Sequence, residues 1–447
     1  MSTDPDPILE VEGLNKHFDV KSGLVNDLRT RFTSAEKERV HAVDGVDFDL
    51  YPGEAMGIAG ESGCGKTTTA MTLAKLHQPT SGTIRFRGED ITDLDGKELT
   101  KFRQNVQMIF QDPFESLNPR MTVYDTLAEP LQIHEVPNKR ARVARALEFA
   151  ELQPAEQYLD SYPHELSGGE RQRIAIARAI VLDPDFIIAD EPVSMLDVSL
   201  RAGVLSLLER MTNEFGLSIV YISHDLSLLR HMCDRIAIMY MGRIVEIGTT
   251  EQIIDDPKHP YTQALINAVP VPDPTTGRER VELEGEVGDA VHVPSGCRFR
   301  HRCPEVIPPE ELEIDQRTFR GAMSLRAEVD RGFDAEAFWE RTSGEDGSAS
   351  EEFKEILRDE FVLGEPSRQN RDVLEEAIDL LAEGEVDRAG ERLRERFHSV
   401  CERVDPATEE RLDVADDRRI ACHLYEPSGG DRAVDEPSTG ESAPADD

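Results

Sequence analysis

The sequence predicts an α/β fold, a parallel sheet with an antiparallel flank and helices packed around it. Three observations carry that expectation. A glycine-rich loop, Gly60-Glu61-Ser62-Gly63-Cys64-Gly65-Lys66-Thr67-Thr68, stands between the short apolar run at residues 55–59 and a helix-like stretch at 69–76. Further short apolar runs alternate with helical patterns along the chain, as in wound α/β sheets. Polar residues recur at the carboxyl ends of those runs, where such sheets collect their ligands: Lys66, then Gln111, Asp190, Glu191 and His224.

Taken in order, residues 8–18 begin with the alternation of a half-buried strand. Phe18 near its end reads either as a ring that stacks on a base or as core. Residues 19–38 form a polar, basic excursion, and 41–50 alternate again before the turn Tyr51-Pro52-Gly53-Glu54. The loop that follows has the spacing G-x-x-x-x-G-K-S/T in the strand–loop–helix setting that the motif requires. Gly60, Gly63 and Gly65 let the backbone curl so that successive N–H groups face phosphate oxygens, and the helix N-terminus adds its partial positive charge. Lys66 can reach the β- and γ-phosphates and the Thr67 hydroxyl can sit on Mg²⁺. Standing alone, the loop would also read as a structural glycine turn.

Residues 81–88 look like part of a hairpin, and 106–110 form a buried strand ending at Gln111-Asp112-Pro113. From there to about residue 180 the pattern is helical, broken at 161–170. The apolar run 186–189 ends in Asp190-Glu191-Pro192, and an acid in that place can hold Mg²⁺ while its neighbour orients water. The run 218–223 ends in His224, which alone reads as structural and beside a carboxylate strand reads as a γ-phosphate contact. Runs 236–239 and 243–248 close the sheet around Met241-Gly242.

Composition bounds the partners. Of 447 residues, 89 are acidic and 50 basic, a formal charge of −39. That surplus repels a phosphate backbone and excludes a nucleic-acid partner. Its spread along the chain suits a salt-adapted, halophilic cytoplasm. No run approaches the ~20 apolar residues of a membrane span. Residues 1–6 have neither a basic start nor an apolar signal core, so the expected location is cytosolic, docked on a membrane protein. Six cysteines in a reducing compartment point to thiols or metal ligands rather than disulfides.

Together these motifs resemble the nucleotide-binding subunit of ATP-binding cassette (ABC) transporters. Leu166-Ser167-Gly168-Gly169-Glu170 resembles the family signature, with Glu170 where Gln is usual, and Ser194-Met195-Leu196-Asp197 resembles the D-loop, with Met195 where Ala is usual. Phe18 matches the aromatic that stacks on adenine, Gln111 the Q-loop glutamine and His224 the switch histidine. The resemblance implies an ABC-type P-loop NTPase with an antiparallel β subdomain and a helical subdomain at 112–180, the whole cassette spanning 8–260. Within the family, Lys16-His17-Phe18, Ala42-Val43-Asp44-Gly45-Val46 and Tyr162-Pro163-His164-Glu165 are similar to the oligopeptide/dipeptide branch. So is His259-Pro260-Tyr261-Thr262-Gln263-Ala264-Leu265, the usual junction with a C-terminal extension.

The resemblance implies ATP bound through the loop 60–68 and Mg²⁺ on Thr67, Gln111 and Asp190. Glu191 would polarise water, and His224 and Gln111 would complete the catalytic set. Ser167, Gly168, Gly169 and Asp197 would serve the ATP of a second cassette, a paralogue or a copy. It further implies two transmembrane permease subunits, an extracellular solute-binding protein acting indirectly, and a peripheral place on the cytoplasmic face of the membrane. Peptides are the expected cargo, with nickel or sugars as alternatives; a soluble, non-transport ABC ATPase is the rival class.

Beyond a proline-rich linker at 269–274 lie Cys297, Cys303, Cys401 and Cys422. Gly296-Cys297-Arg298-Phe299-Arg300-His301-Arg302-Cys303-Pro304 resembles the start of the peptide-transporter C-terminal motif, which resumes near Cys401. This implies one four-cysteine module, 261–304 with 398–426, interrupted by an acidic helical insertion at 305–397. Soft thiolates suit an iron–sulfur cluster (4Fe–4S) or Zn²⁺, and reduced packed thiols are a further alternative. Cys64 and Cys233 read as packing residues, and His301 and His423 as surface residues, with metal ligation the alternative. Helical spacing at 372–384 and 386–398 predicts an αα-hairpin packed through Leu381, Leu393 and Phe397. Residues 427–447 have a disordered composition.

Overall fold

The computed structural model describes residues 6–20, 38–112, 116–268, 288, 290–335, 337–338, 351–361, 363, 368–406 and 418–425. The expected linker at 269–274 and the tail at 427–447 lie outside them, as does most of the polar excursion 19–38.

Two sheets organise the cassette. The first is antiparallel, ordered β2 (Arg39–Leu50), β1 (Leu9–Asp19), β4 (Ser81–Phe86) and β5 (Glu89–Asp90). Its strands alternate because one face packs inward: Leu9, Val11, Leu14, Val43, Val46 and Phe48 are buried in one core. The second sheet has seven strands. In spatial order these are β11 (Arg419–Ile420), β10 (Arg243–Thr249), β9 (Arg235–Tyr240), β3 (Ala55–Ala59), β8 (Ser218–Ser223), β7 (Phe186–Asp190) and β6 (Val106–Ile109). Strands β9, β3, β8, β7 and β6 run parallel, while β10 pairs antiparallel with β9 and β11 antiparallel with β10.

Every residue of β3, β7 and β8 is buried, which is why these strands read as continuous apolar runs rather than alternating ones. One face of the large sheet, through Met56, Ile58, Ile188, Val220 and Ile222, shares the core of the antiparallel sheet. The other face packs on helices, among them Gly168–Ile180 and Val198–Phe215.

The αα-hairpin forms from Arg368–Ala382 and Val386–Arg396, turned at Gly384 with φ +78°. Leu374, Ala377, Ile378 and Leu381 make its i, i+3, i+4, i+7 stripe against Leu393 and Phe397, all buried. It does not stand alone. Helices Gln316–Asp330 and Glu351–Glu360 add Phe319, Leu325, Phe353 and Leu357 to the same interior.

Two local expectations are corrected. The sheet gains β11, which no sequence pattern marks, because a two-residue strand has no period of its own and exists only by pairing Ile420 with Glu246. His423 is not a surface residue: it is buried, with Nε2 2.9 Å from the Val404 carbonyl. Among the described residues no helix is long and apolar enough to cross a membrane.

Candidate nucleotide site

The loop between β3 and the helix Lys66–Leu73 is held open by close backbone approaches. A Cβ at Gly65, where φ is +110°, would lie 2.0 Å from the Ala42 carbonyl oxygen, so only glycine fits there. The Lys66 ammonium is buried and donates to the carbonyls of Gly60 at 2.8 Å and Glu61 at 2.9 Å. Ser62 and Thr67 are exposed and Thr68 is half-buried, whereas Cys64 is buried beneath the loop, its sulfur 3.9 Å from Lys66 Nζ. Burial pushes the Cys64 thiol up, which suits a packing residue.

The parallel register carries the other groups to the same rim. Asp190 pairs opposite Ile222 at the ends of β7 and β8. Thr67 Oγ1 donates to Asp190 Oδ1 at 3.3 Å. Burial raises the Asp190 carboxyl, and the Thr67 hydroxyl bond opposes this only in part. The next residue, Glu191, has φ +45°, a left-handed backbone that a non-glycine residue adopts at a cost. Its carboxylate accepts from Gln111 Nε2 at 3.2 Å and stands 2.9 Å from His224 Nδ1. Two residues far apart in the chain, Gln111 and His224, thus converge on the Glu191 oxygen pair.

The signature residues are arranged differently. Ser167 caps the helix Gly168–Ile180: its Oγ accepts from Glu170 N, and the Glu170 carboxylate accepts from Ser167 N at 2.9 Å and Oγ at 2.7 Å. The serine hydroxyl and backbone N–H also pull the Glu170 carboxyl down. The acid standing where Gln is usual therefore completes a capping box. Gly168 stands half-buried beside it and Gly169 is buried against Leu200. Asp197 caps Val198–Phe215, accepting from the N–H groups of Ser199 and Leu200 at 3.1 Å. Both caps bond only locally, and exposed Met195 lies beside Asp197. Phe18 is half-buried, edge-on to His77 at 5.5 Å with the Lys16 ammonium 4.8 Å from its ring centre.

Two residues that no local pattern marked complete the loop. The Tyr261 hydroxyl accepts from Glu61 N at 2.9 Å, and Arg302 grips the Glu61 carboxylate at 2.6 and 3.0 Å. Their signal lay only in the fold.

The four C-terminal cysteines meet in one place. Cys297 N donates to the Cys401 carbonyl at 2.7 Å, and Cys303 feels the charges of Cys297, Cys422 and Cys401. Burial pushes the Cys297 thiol up to about 11 and Cys303 higher still. Among the described residues, however, no three of these sulfurs come within 4.8 Å of one another. His17, His41 and Asp44 do fall within 4.8 Å. The Asp44 carboxylate is already paired with Arg298 and Arg243, so two guanidinium charges oppose a cation there.

A phosphate loop, an acid pair at the end of one parallel strand with a histidine after its neighbour, and a capped signature helix define an ABC-type ATPase. The comparisons agree. The ABC transporter family matches residues 43–194, the oligopeptide/dipeptide transporter C-terminal region matches 245–308, and a domain of unknown function (DUF8228) matches 316–413. The chain is 47% identical over 325 residues to the putative oligopeptide transport ATP-binding protein YkfD of Bacillus subtilis, covering 70% of this chain and 94% of that protein. It is 43% identical over 327 residues to the dipeptide transport ATP-binding protein DppF of Escherichia coli, covering 73% and 95%. A solved dimeric ATP-binding cassette in a post-hydrolysis state with ADP and Pi covers 54% of this chain and 98% of its own, at 29% identity and a TM-score of 0.47. The chain belongs to the ATP-binding subunits of the oligopeptide/dipeptide ABC transporter family, and it is an ATPase.

Proposed function

We propose that this chain hydrolyses ATP to power uptake of oligopeptides or dipeptides, working on the cytoplasmic face of the membrane with a second cassette and two permease subunits. The observation that carries the motor role is the Glu191 carboxylate, held between Gln111 and His224 one residue beyond the Thr67–Asp190 pair. The cargo rests on the peptide transport named for the relatives.

The loop N–H groups and Lys66 bind the triphosphate, and Phe18 offers a ring face for the base. Thr67, Gln111 and Asp190 would hold Mg²⁺, which when bound neutralises charge on the β- and γ-phosphate oxygens. Glu191 accepts a proton from the attacking water and His224 steadies the γ-phosphate. Exposed Ser167 and Asp197, with the Gly168-Gly169 turn beside Ser167, serve a partner cassette, whose matching residues close over this chain's ATP. Gln111 lies where the large sheet meets the helical subdomain, so its loss or gain of the Glu191 bond reports the site's state to the permeases.

The same reading assigns Cys297, Cys303, Cys401 and Cys422 to a 4Fe–4S cluster, with Zn²⁺ the alternative, supported by the convergence of four soft thiols around Cys303. A visible absorption band bleached by dithionite tests it; colourless protein overturns it. The acidic surplus suits a halophilic cytoplasm, where salt screens self-repulsion.

The test is reconstitution in proteoliposomes with the permeases, the partner cassette and the solute-binding protein. ATP-dependent peptide uptake is expected. Uptake of nickel or a sugar in place of peptides overturns the cargo, and ATP hydrolysis that never couples to membrane subunits overturns the transporter role.

A further inference from the structure

The segment from Cys297 to Cys303 lies against the outside of the phosphate loop, and its two arginines reach into the cassette. Arg298 pairs with Asp44 and donates to the Met241 carbonyl. Arg302, only 7% exposed, makes a two-pronged contact with Glu61, the second residue of the loop. The Tyr240 ring lies behind this guanidinium at 6.0 Å, and the Glu61 contact holds the Arg302 pKa above the usual arginine range.

Glu61 is therefore held from two sides. From outside, Arg302 holds its carboxylate and Tyr261 its N–H. From inside, Lys66 holds its carbonyl. When a triphosphate enters, the Lys66 ammonium, with three N–H donors and two of them on the carbonyls of Gly60 and Glu61, is shared with the phosphate oxygens. The inner tie is then weakened, and a carboxylate one residue from the phosphate-binding N–H groups faces a polyanion.

We propose that Arg302 is a positioning residue for ATP binding. Its guanidinium turns the Glu61 carboxylate outward, neutralises it and keeps the loop shaped while Lys66 is shared with the nucleotide. The inference rests on the ATP-site reading alone and not on the cargo. It makes the cysteine module part of the nucleotide site's outer wall. A purely architectural role for Arg302 is disfavoured, because that module is docked independently. Arg418 and Glu246 form a buried pair, 1% and 0% exposed, and Ala421 N bonds Val245 O at 2.8 Å.

The experiment titrates the full-length chain with a fluorescent ATP analogue and Mg²⁺, and measures KM and kcat in the assembled importer. R302Q is expected to weaken analogue binding about tenfold and to raise KM by a like factor, with kcat changed less than about twofold. R302K should recover only part of the loss, since an ammonium cannot match both carboxylate oxygens. In an E61Q background, whatever its own affinity, adding R302Q should cost less than about twofold, because no charge remains to neutralise. The proposal is overturned if R302Q binds the analogue within twofold of the parent, or if it costs as much in E61Q as alone. Should R302Q fail to fold, the swap E61R/R302E decides: analogue binding stronger than in E61R supports the proposal, and no gain overturns it. Each arm reads nucleotide binding, so a failure of peptide transport does not bear on the role of Arg302.

Discussion

The phosphate-loop half of the cassette and its signature half spend their polar groups in opposite ways. In the first, Thr67 bonds Asp190, and Gln111 and His224 bond Glu191, so residues from distant stretches of chain are tied together at one rim. In the second, Ser167 and Asp197 bond only within their own helix turns, each a cap, and stay exposed. One half is thus a finished site awaiting a ligand, while the other is a rigid surface awaiting a partner. Capping serves the second role well: it fixes the helix N-terminus, with its free N–H groups and partial positive charge, so that the end presented to another chain's phosphate costs little to order.

The largest test of that contrast is Glu191→Gln. The amide keeps the contact with His224 or Gln111 but cannot take a proton from water, so turnover should fall roughly 10³-fold. Phosphate release measured under saturating ATP checks this; near-normal hydrolysis removes Glu191 from its role. Next is Ser167→Arg, which spoils the outward half. Hydrolysis by the assembled pair should fall about 100-fold, whereas ATP analogue binding by the isolated chain should fall far less. Equal losses in both assays would mean that the two halves of one chain act on one nucleotide. A small effect distinguishes the halves by pH. His259, buried with Nδ1 accepting from Tyr261 N, has its pKa pushed down to about 3 by burial, against a small opposing bond from Ala421. An unfolded histidine takes a proton near pH ~6.5, so stability is full above that value and is lost as pH falls below it. At pH 5.5 this one residue should cost about 1.4 kcal/mol. Because Tyr261 carries the strain to Glu61, hydrogen exchange at pH 5.5 should loosen the phosphate loop before the signature helix. Loosening in the reverse order would contradict the contrast between the halves.

Most of the inward half was legible in the order of residues alone. A loop of fixed spacing, and acids or amides directly after apolar runs, are short-range signals, and a parallel sheet places the ends of such runs side by side. The hairpin at 368–396 was legible for the same reason, since Leu374, Ala377, Ile378 and Leu381 repeat at helical intervals. What Ser167, Glu170 and Asp197 do within one chain was less so. Their motif spelling pointed to a partner's nucleotide, while the capping box of Ser167 with Glu170 and the N-cap at Asp197 that position them were read only from the backbone.

The amino-acid order dictated the loop, the strand and helix periods and the groups that end the strands. Each of these depends on neighbours within a few positions, where sterics and hydrophobic period leave few choices. Long-range packing was needed to establish that Arg302 grips Glu61, that Arg418 is buried against Glu246, that β11 joins β10 and that His423 turns inward. Among 50 basic and 89 acidic residues any one pairing is almost unconstrained by local pattern. Only the burial of both partners, which strips away water and makes an unpaired charge expensive, selects one pair from the rest.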